Sequence, residues 1–220
     1  MNILIIDDHP QIAESFKSAL HKIALNNSRF KFEITEETTL DGSYALLTDS
    51  KKIFYDLIFL DIKLPSSKDG KLLSGEDLGL EIRKQSPKSK IIVATTYNDN
   101  YRINNIFRNL SPEGLLIKND LTPKVLVNAI EEVLDDSLAY TKTVKKLLRI
   151  LASNDISLDY VDRQILYQLS IGTKMMDLPN VITMSIGGIE RRKRQLKEAF
   201  DIVGKDDKVL LKIARDKGFI

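Results

Sequence analysis

Short runs of consecutive apolar residues alternate along the chain with longer segments whose apolar positions recur every three or four residues. That alternation is the signature of a parallel sheet wrapped by helices. The runs are Asn2–Ile6, Phe30–Thr35, Leu57–Leu60, Ile91–Ala94 and Gly114–Ile117. Between and after them, Gln11–Leu25, Asp41–Lys51, Gly75–Gln85, Tyr101–Leu110 and Pro123–Leu134 carry the helical period. Three of the runs are apolar without a break, as expected of strands covered on both faces. Five strand–helix units in succession predict an α/β domain over residues 1–136, built on a doubly wound, five-stranded parallel sheet.

Strand signals stop at Leu134. Asp135-Asp136-Ser137 then opens a linker, residues 137–155, which holds a basic amphipathic helix at Thr141–Leu151. The remainder, residues 156–220, reads as a second, smaller all-α domain with helices at Leu158–Ser170, Lys174–Leu178, Ile186–Phe200 and Asp206–Lys217. Gly172 ends the first of these and Pro179-Asn180 stops the second.

A length of 220 residues with 43% hydrophobic content supports one sizeable core and a second small one. No apolar run approaches the eighteen or so residues needed to span a bilayer, and Met1–Leu4 enters a strand pattern rather than a signal peptide. A cytoplasmic protein with no membrane partner is expected. The absence of cysteine excludes disulfides, thiolate zinc sites and a cysteine nucleophile, and two histidines leave little for a histidine-based metal site. Any chemistry rests on carboxylates, hydroxyls and lysines. The net charge of +2 is uneven. Residues 1–136 carry 17 Lys and Arg against 21 Asp and Glu, residues 137–155 carry 4 against 1, and residues 156–220 carry 12 against 9. A basic C-terminal half suits a polyanionic partner, although a solvated lysine-rich surface explains the same excess.

In an open parallel sheet, ligands bind at the carboxyl ends of the strands where the strand order reverses. Asp7 and Asp8 follow the first run, Asp61 the third, Thr95 the fourth and Lys118 the fifth. Singly, each has an ordinary reading: a turn or cap, a strand-favouring threonine, a solvated lysine. Five suitable residues at four strand ends, in the right strand order, make coincidence a poor explanation and point to a site. Converging carboxylates repel unless a cation holds them, and an all-oxygen set suits Mg²⁺. The cation would offset charge between an anionic nucleophile and an anionic phosphoryl donor, while Lys118 and the Thr95 hydroxyl can pair with phosphoryl oxygens. Asp61 stands alone at its strand end and is the better nucleophile; the adjacent Asp7 and Asp8 suit cation binding.

The segments "ILIIDDHP", "DLIFLDIKLP", "IIVATT" and "GLLIKND" resemble the four signature segments of response-regulator receivers, which have a flavodoxin-like fold. The resemblance implies that Asp61 accepts a phosphoryl group from a sensor histidine kinase, that Asp7 and Asp8 bind Mg²⁺, and that Lys118 and Thr95 sense the phosphoryl group. It also implies that the backbone carbonyl of Lys63 completes the metal site, leaving the Lys63 side chain as a solvated charge. Two features depart from the pattern. Ser66–Ser74 is a longer link than usual, expected to be a mobile loop over the site. Leu115 stands where an aromatic switch is common; Tyr97 and Tyr101 nearby read as surface or core packing. His9 and His21 are expected to be structural or solvent-facing, outside the site.

The stretch "LDYVDRQILYQLSIGTKMMDLPNVITMSIGGIERRKRQLKEAF", followed by "LLKIARDKGFI", resembles the LuxR-type helix-turn-helix. The resemblance makes Lys174–Leu178 the scanning helix and Ile186–Phe200 the recognition helix. Ile189, Leu196 and Phe200 would face the core, leaving Lys174, Arg191, Arg192, Lys193, Arg194 and Lys197 as candidate contacts to double-stranded DNA. Gly187 and Gly188 cost about 1 kcal/mol each in helix propensity if both lie within the helix. Glu190 stands where relatives usually carry a Lys; it can accept from cytosine N4 or support Arg194 one turn later.

The function expected is a phosphorylation-controlled transcription factor that is not an enzyme and acts as a homodimer, because one small helix-turn-helix reads little DNA. The alternative is a phospho-switched module whose C-terminal helices dock a protein. A third class, a phosphohydrolase using an aspartyl-phosphate, would want an acid two residues past its nucleophile, where this chain has Lys63.

Overall fold

The computed structural model describes residues 1–49, 53–153 and 156–220. Its strands are β1 (Asn2–Ile6), β2 (Glu33–Glu37), β3 (Leu57–Asp61), β4 (Lys90–Thr95), β5 (Gly114–Ile117) and β6 (Ala139–Tyr140). They form one parallel sheet in the order β2-β1-β3-β4-β5-β6. Helices α1 (Pro10–Asn26), α2 (Leu40–Thr48), α3 (Gly75–Gln85), α4 (Asn100–Leu110) and α5 (Pro123–Leu134) connect the first five strands and lead out of the fifth.

The sheet thus has six strands rather than the expected five. The extra strand is two residues long, too short to show a period, and it forms because the β5 edge offers unpaired backbone groups. Ala139 N–H donates to Glu113 O at 2.9 Å, and the Thr141 hydroxyl accepts from Ile117 N–H at 3.1 Å. The predicted second strand, Phe30–Thr35, is shifted. Phe30 and Phe32 instead stack on each other ahead of β2, which continues through Glu36 and Glu37 because its register with β1 runs to Ile6↔Glu37. The predicted helix Asp41–Lys51 ends at Thr48, and Lys51 lies outside the described residues.

The chain divides into two compact units, residues 1–97 with 106–144 and residues 98–105 with 145–220. In the first, Ile3, Ile5, Leu57, Phe59, Ile92 and Leu116 meet Phe16, Leu20 and Ile23 of α1 and Ile130 and Val133 of α5. Phe16 stacks on Phe59 with ring centroids 4.4 Å apart. Burying side chains of this size contributes about 1.5–3 kcal/mol each, which fixes strand ends against helices and so fixes the residues that follow the strands.

Helices α6 (Lys142–Ala152), α7 (Tyr160–Ser170), α8 (Ile186–Ala199) and α9 (Asp207–Asp216) complete the chain. Asp159, Ser185 and Asp206 cap α7, α8 and α9, each side chain accepting from a backbone N–H of the first turn. Leu166, Leu196, Phe200, Leu210 and Phe219 form one cluster of the second unit, and Ile165, Leu178, Ile182 and Ile189 another. Tyr101, also grouped with this unit, is core packing: it is buried and stacks on Tyr167 at 4.4 Å. The expected α-helix Lys174–Leu178 is instead a 3-10 helix, Met175–Asn180, with Pro179 inside it. A proline lacks the N–H that an α-helical ladder needs, and the shorter turn tolerates it. No described helix is long and apolar enough to cross a membrane.

Candidate functional site

Strands β1 and β3 are neighbours, with Ile6 opposite Leu60, so Asp7 and Asp61 come off their strands side by side at the carboxyl edge. The chain places β2 on one side of β1 and β3 on the other, which makes this edge the point where the order reverses. Asp7 and Asp61 are each only 2% exposed, whereas Asp8 is open to solvent.

Lys118, one residue past β5, reaches across to both buried acids. Its Nζ lies 2.7 Å from Asp61 Oδ2 and 2.7 Å from Asp7 Oδ2. The ammonium thus forms an ion pair with both acids, and its contact to Asp61 is an aligned hydrogen bond. Burial pushes the Asp7 carboxyl above its ordinary range. Lys118 and the His9 backbone N–H oppose that shift, and the Asp61 charge adds to it. Asp61 Oδ1 accepts from Lys63 N–H at 3.0 Å, which orients the carboxylate.

Ligand atoms of Asp7, Asp8, His9 and Asp61 all lie within 4.8 Å of one another. Three carboxylates at that spacing form an oxygen donor set that fits a hard divalent cation. His9, expected to be structural or solvent-facing, is 59% exposed, and its Nδ1 lies 2.6 Å from Asp8 Oδ1 and 3.3 Å from Asp7 Oδ1. Thr95 ends β4 fully buried, one residue past Ala94, the partner of Asp61, and its hydroxyl accepts from Tyr97 N–H at 3.2 Å. Lys63 is exposed, and its ammonium lies 5.9 Å from the centre of the Tyr97 ring.

Two further residues hold the segments that follow β3 and β5. At Gly75, which opens α3, an added Cβ would fall on the Asp61 carbonyl, and Gly75 N–H donates to Ile62 O at 3.0 Å. Asp120 ends the 3-10 turn Lys118–Asp120, and its Oδ2 accepts from Thr143 N–H at 2.9 Å in the first turn of α6. Nothing in the sequence pattern pointed to Asp120. The Ser66–Ser74 segment, expected to be mobile, is folded on itself. Ser67 N–H donates to Leu72 O at 2.8 Å, Asp69 Oδ1 accepts from the Ser67 hydroxyl and Lys71 N–H, and Lys68 N–H turns to Asp41. Leu115 is fully buried between Val93 and Tyr140, leaving no aromatic at that position.

In the second unit, α8 buries Ile189 and Leu196. The six basic candidates separate into two groups. Arg192 donates to Asp159 and, at 3.1 Å, to Asp162, both at the start of α7. Lys193 and Lys197 grip Asp207 of α9 at 3.0 and 2.9 Å. Lys174, Arg191 and Arg194 are exposed, and no described residue pairs with them. Glu190 does not pair with Arg194 either.

Residues 3–131 match the family model of the response regulator receiver domain. The chain is 25% identical over 197 residues to the transcriptional regulatory protein RcsB of Escherichia coli (strain K12), covering 88% of this chain and 85% of that protein. Among solved structures, RcsB from Salmonella enterica serovar Typhimurium bound to promoter P1flhDC with the phosphomimetic BeF3- has a TM-score of 0.63 at 23% identity, covering 99% of this chain and 98% of that one. A structure of two RcsB dimers bound to two parallel DNAs has a TM-score of 0.62 at 22% identity, covering 98% of each chain. These likenesses extend over both units. The chain belongs to the response regulator receiver family.

Proposed function

We propose that this chain is the response regulator of a two-component system, in which a sensor histidine kinase phosphorylates Asp61 and thereby controls binding of promoter DNA and transcription. The observation that carries the proposal is a buried Asp61 carboxylate held by Lys118 Nζ at 2.7 Å with Asp7 and Asp8 beside it. Residues 1–136, with β6 added at the sheet edge, serve as the receiver, the rest of 137–155 leads out of it, and 156–220 serve as the helix-turn-helix.

In the transfer, an Asp61 carboxylate oxygen attacks the phosphorus of a phosphohistidine. The P–O bond forms as the P–N bond breaks, and the imidazole keeps the electron pair and takes a proton from solvent. Lys118, already at Asp61, pairs with a phosphoryl oxygen, and the Thr95 hydroxyl donates to another. Asp7, Asp8, Asp61 and the Lys63 backbone carbonyl would hold Mg²⁺, whose charge offsets repulsion between nucleophile and donor. With Lys63 two residues past Asp61, the site has no acid there to drive turnover, and the protein acts as a cytoplasmic switch rather than an enzyme.

On the DNA side, Lys174, Arg191 and Arg194 are free to reach a duplex, whereas Arg192, Lys193 and Lys197 hold α8 to its neighbours. RcsB, bound to DNA as dimers, supports a homodimer on paired half-sites. The test is selection of genomic fragments by the full chain, with and without beryllofluoride and Mg²⁺, followed by salt titration of the best fragment. Sequence-restricted binding that the mimic strengthens and salt weakens steeply is expected. Weak binding indifferent to sequence and mimic would reassign the C-terminal helices to docking a protein.

A further inference from the structure

The outward face of α8 combines features that its own fold does not require. Arg192, Lys193 and Lys197 are engaged with Asp159, Asp162 and Asp207, so they strap α8 to α7 and α9. What remains outward is Gly187, Glu190, Arg191 and Arg194, all exposed and recurring at three- and four-residue spacing. Neither Glu190 nor either arginine has a hydrogen-bond or ion-pair partner among the described residues.

Gly187 is the informative position. A Cβ built there meets nothing within 4 Å, and its φ lies outside the left-handed region, so neither packing nor backbone geometry calls for glycine. Gly188 differs, because a Cβ there would press on Met184. Glycine is the poorest helix former after proline. Its remaining use at an open site is to let an external surface approach the backbone closely. Glu190 lies one turn further along the same side. Beside phosphates an unpaired carboxylate is repelled, so its useful targets on DNA are the amino groups that base edges present in the major groove.

We infer that Glu190 is a specificity-determining residue that selects a C·G base pair by accepting from cytosine N4–H, with Gly187 clearing the space for the duplex to come that close. Arg191 and Arg194 flank it, aimed at phosphate or guanine. The inference rests on the DNA-binding reading above and adds to it the base that one side chain reads.

The test is selection from a pool of randomised duplexes by the full-length protein in beryllofluoride and Mg²⁺, run in parallel with Glu190→Gln, Glu190→Ala and Gly187→Ala. Glutamine pairs with adenine N6 and N7, so Glu190→Gln should move one base pair per half-site from C·G to A·T, with a preference of about tenfold or more. Glu190→Ala should lose the preference at that pair while keeping the salt dependence, because no phosphate contact is removed. Gly187→Ala should weaken specific binding although alanine favours the helix. Wild-type and Glu190→Gln proteins selecting the same sequence would overturn the inference and leave the DNA-binding reading standing. A wild-type protein that selects no sequence would overturn both.

Discussion

Lys118 Nζ lies 2.7 Å from Asp61 Oδ2, so the base that follows β5 closes on the acid that ends β3 across the intervening β4. The lysine also lies 2.7 Å from Asp7, and the three side chains are almost wholly buried, at 6%, 1% and 1% exposure. Removing the cation would leave two buried carboxylates uncompensated. Lys118→Ala should therefore cost about 3–5 kcal/mol in the unfolding of the first unit. Millimolar Mg²⁺ should restore part of that loss, because a divalent cation replaces the missing charge. Urea denaturation with and without the metal checks both effects; a variant as stable as wild type in metal-free buffer would show that Lys118 does not compensate this pair.

Gly75 packs so closely that any side chain there meets the Asp61 carbonyl. Gly75→Ala must move the backbone that carries the acceptor. The expected result is a slower phosphorylation of Asp61 by acetyl phosphate, by about tenfold for a shift of the attacking oxygen that raises the barrier about 1.4 kcal/mol. Labelling kinetics followed by intact mass measure it, and an unchanged rate would mean that the backbone there yields without displacing the carboxylate.

Asp120 caps the start of α6 through Thr143 N–H. Burial pushes its carboxyl up, but the Thr143 and Thr141 hydrogen bonds and the Lys142 charge outweigh burial and hold it below the ordinary carboxylate range. A depressed folded-state value means that its contribution is present above the unfolded value and is lost as pH falls through the folded one. Asp120→Ala should cost about 1 kcal/mol, the worth of a side-chain cap. The difference between wild type and variant should shrink on acidification below the ordinary carboxylate range, as read from thermal unfolding across that range.

The basic residues of α8 should separate by role. Arg192 is 28% exposed and paired with Asp159 and Asp162, so Arg192→Ala should destabilise the second unit by no more than about 1 kcal/mol and leave the salt slope of DNA binding unchanged. Arg194→Ala should leave stability alone and lower that slope by about 1 if Arg194 meets a phosphate. Salt titrations and thermal melts of the two variants distinguish the roles, and a reversal of the pattern would contradict the assignment.

The residues at the strand ends were legible because buried parallel strands are unbroken apolar runs, and an Asp or Lys just past such a run stands out. Asp7, Asp61, Thr95 and Lys118 stand out in this way, and the structure places all four at the carboxyl edge of the sheet. The contact of the exposed His9 with Asp8 is not legible, because it depends on how the loop after β1 turns. Asp120 was missed because its partner, Thr143, lies 23 residues on and is brought close only by β6, a strand too short for any periodicity to reveal. The engagement of Arg192 and Lys193 was hidden for a similar reason: their acids lie up to 33 and 14 residues away and meet them only once α7, α8 and α9 pack. Pro179 does not stop a helix as expected but lies inside the 3-10 helix Met175–Asn180, which follows from local hydrogen bonding that apolar spacing does not report.

The most direct test of the account is intact-mass analysis of wild-type protein and Asp61→Asn after incubation with acetyl phosphate and Mg²⁺. A single acid-stable, base-labile phosphoryl adduct on the wild type and none on Asp61→Asn is the predicted result. An adduct of equal yield on Asp61→Asn would place the acceptor elsewhere and contradict the role given to Asp61.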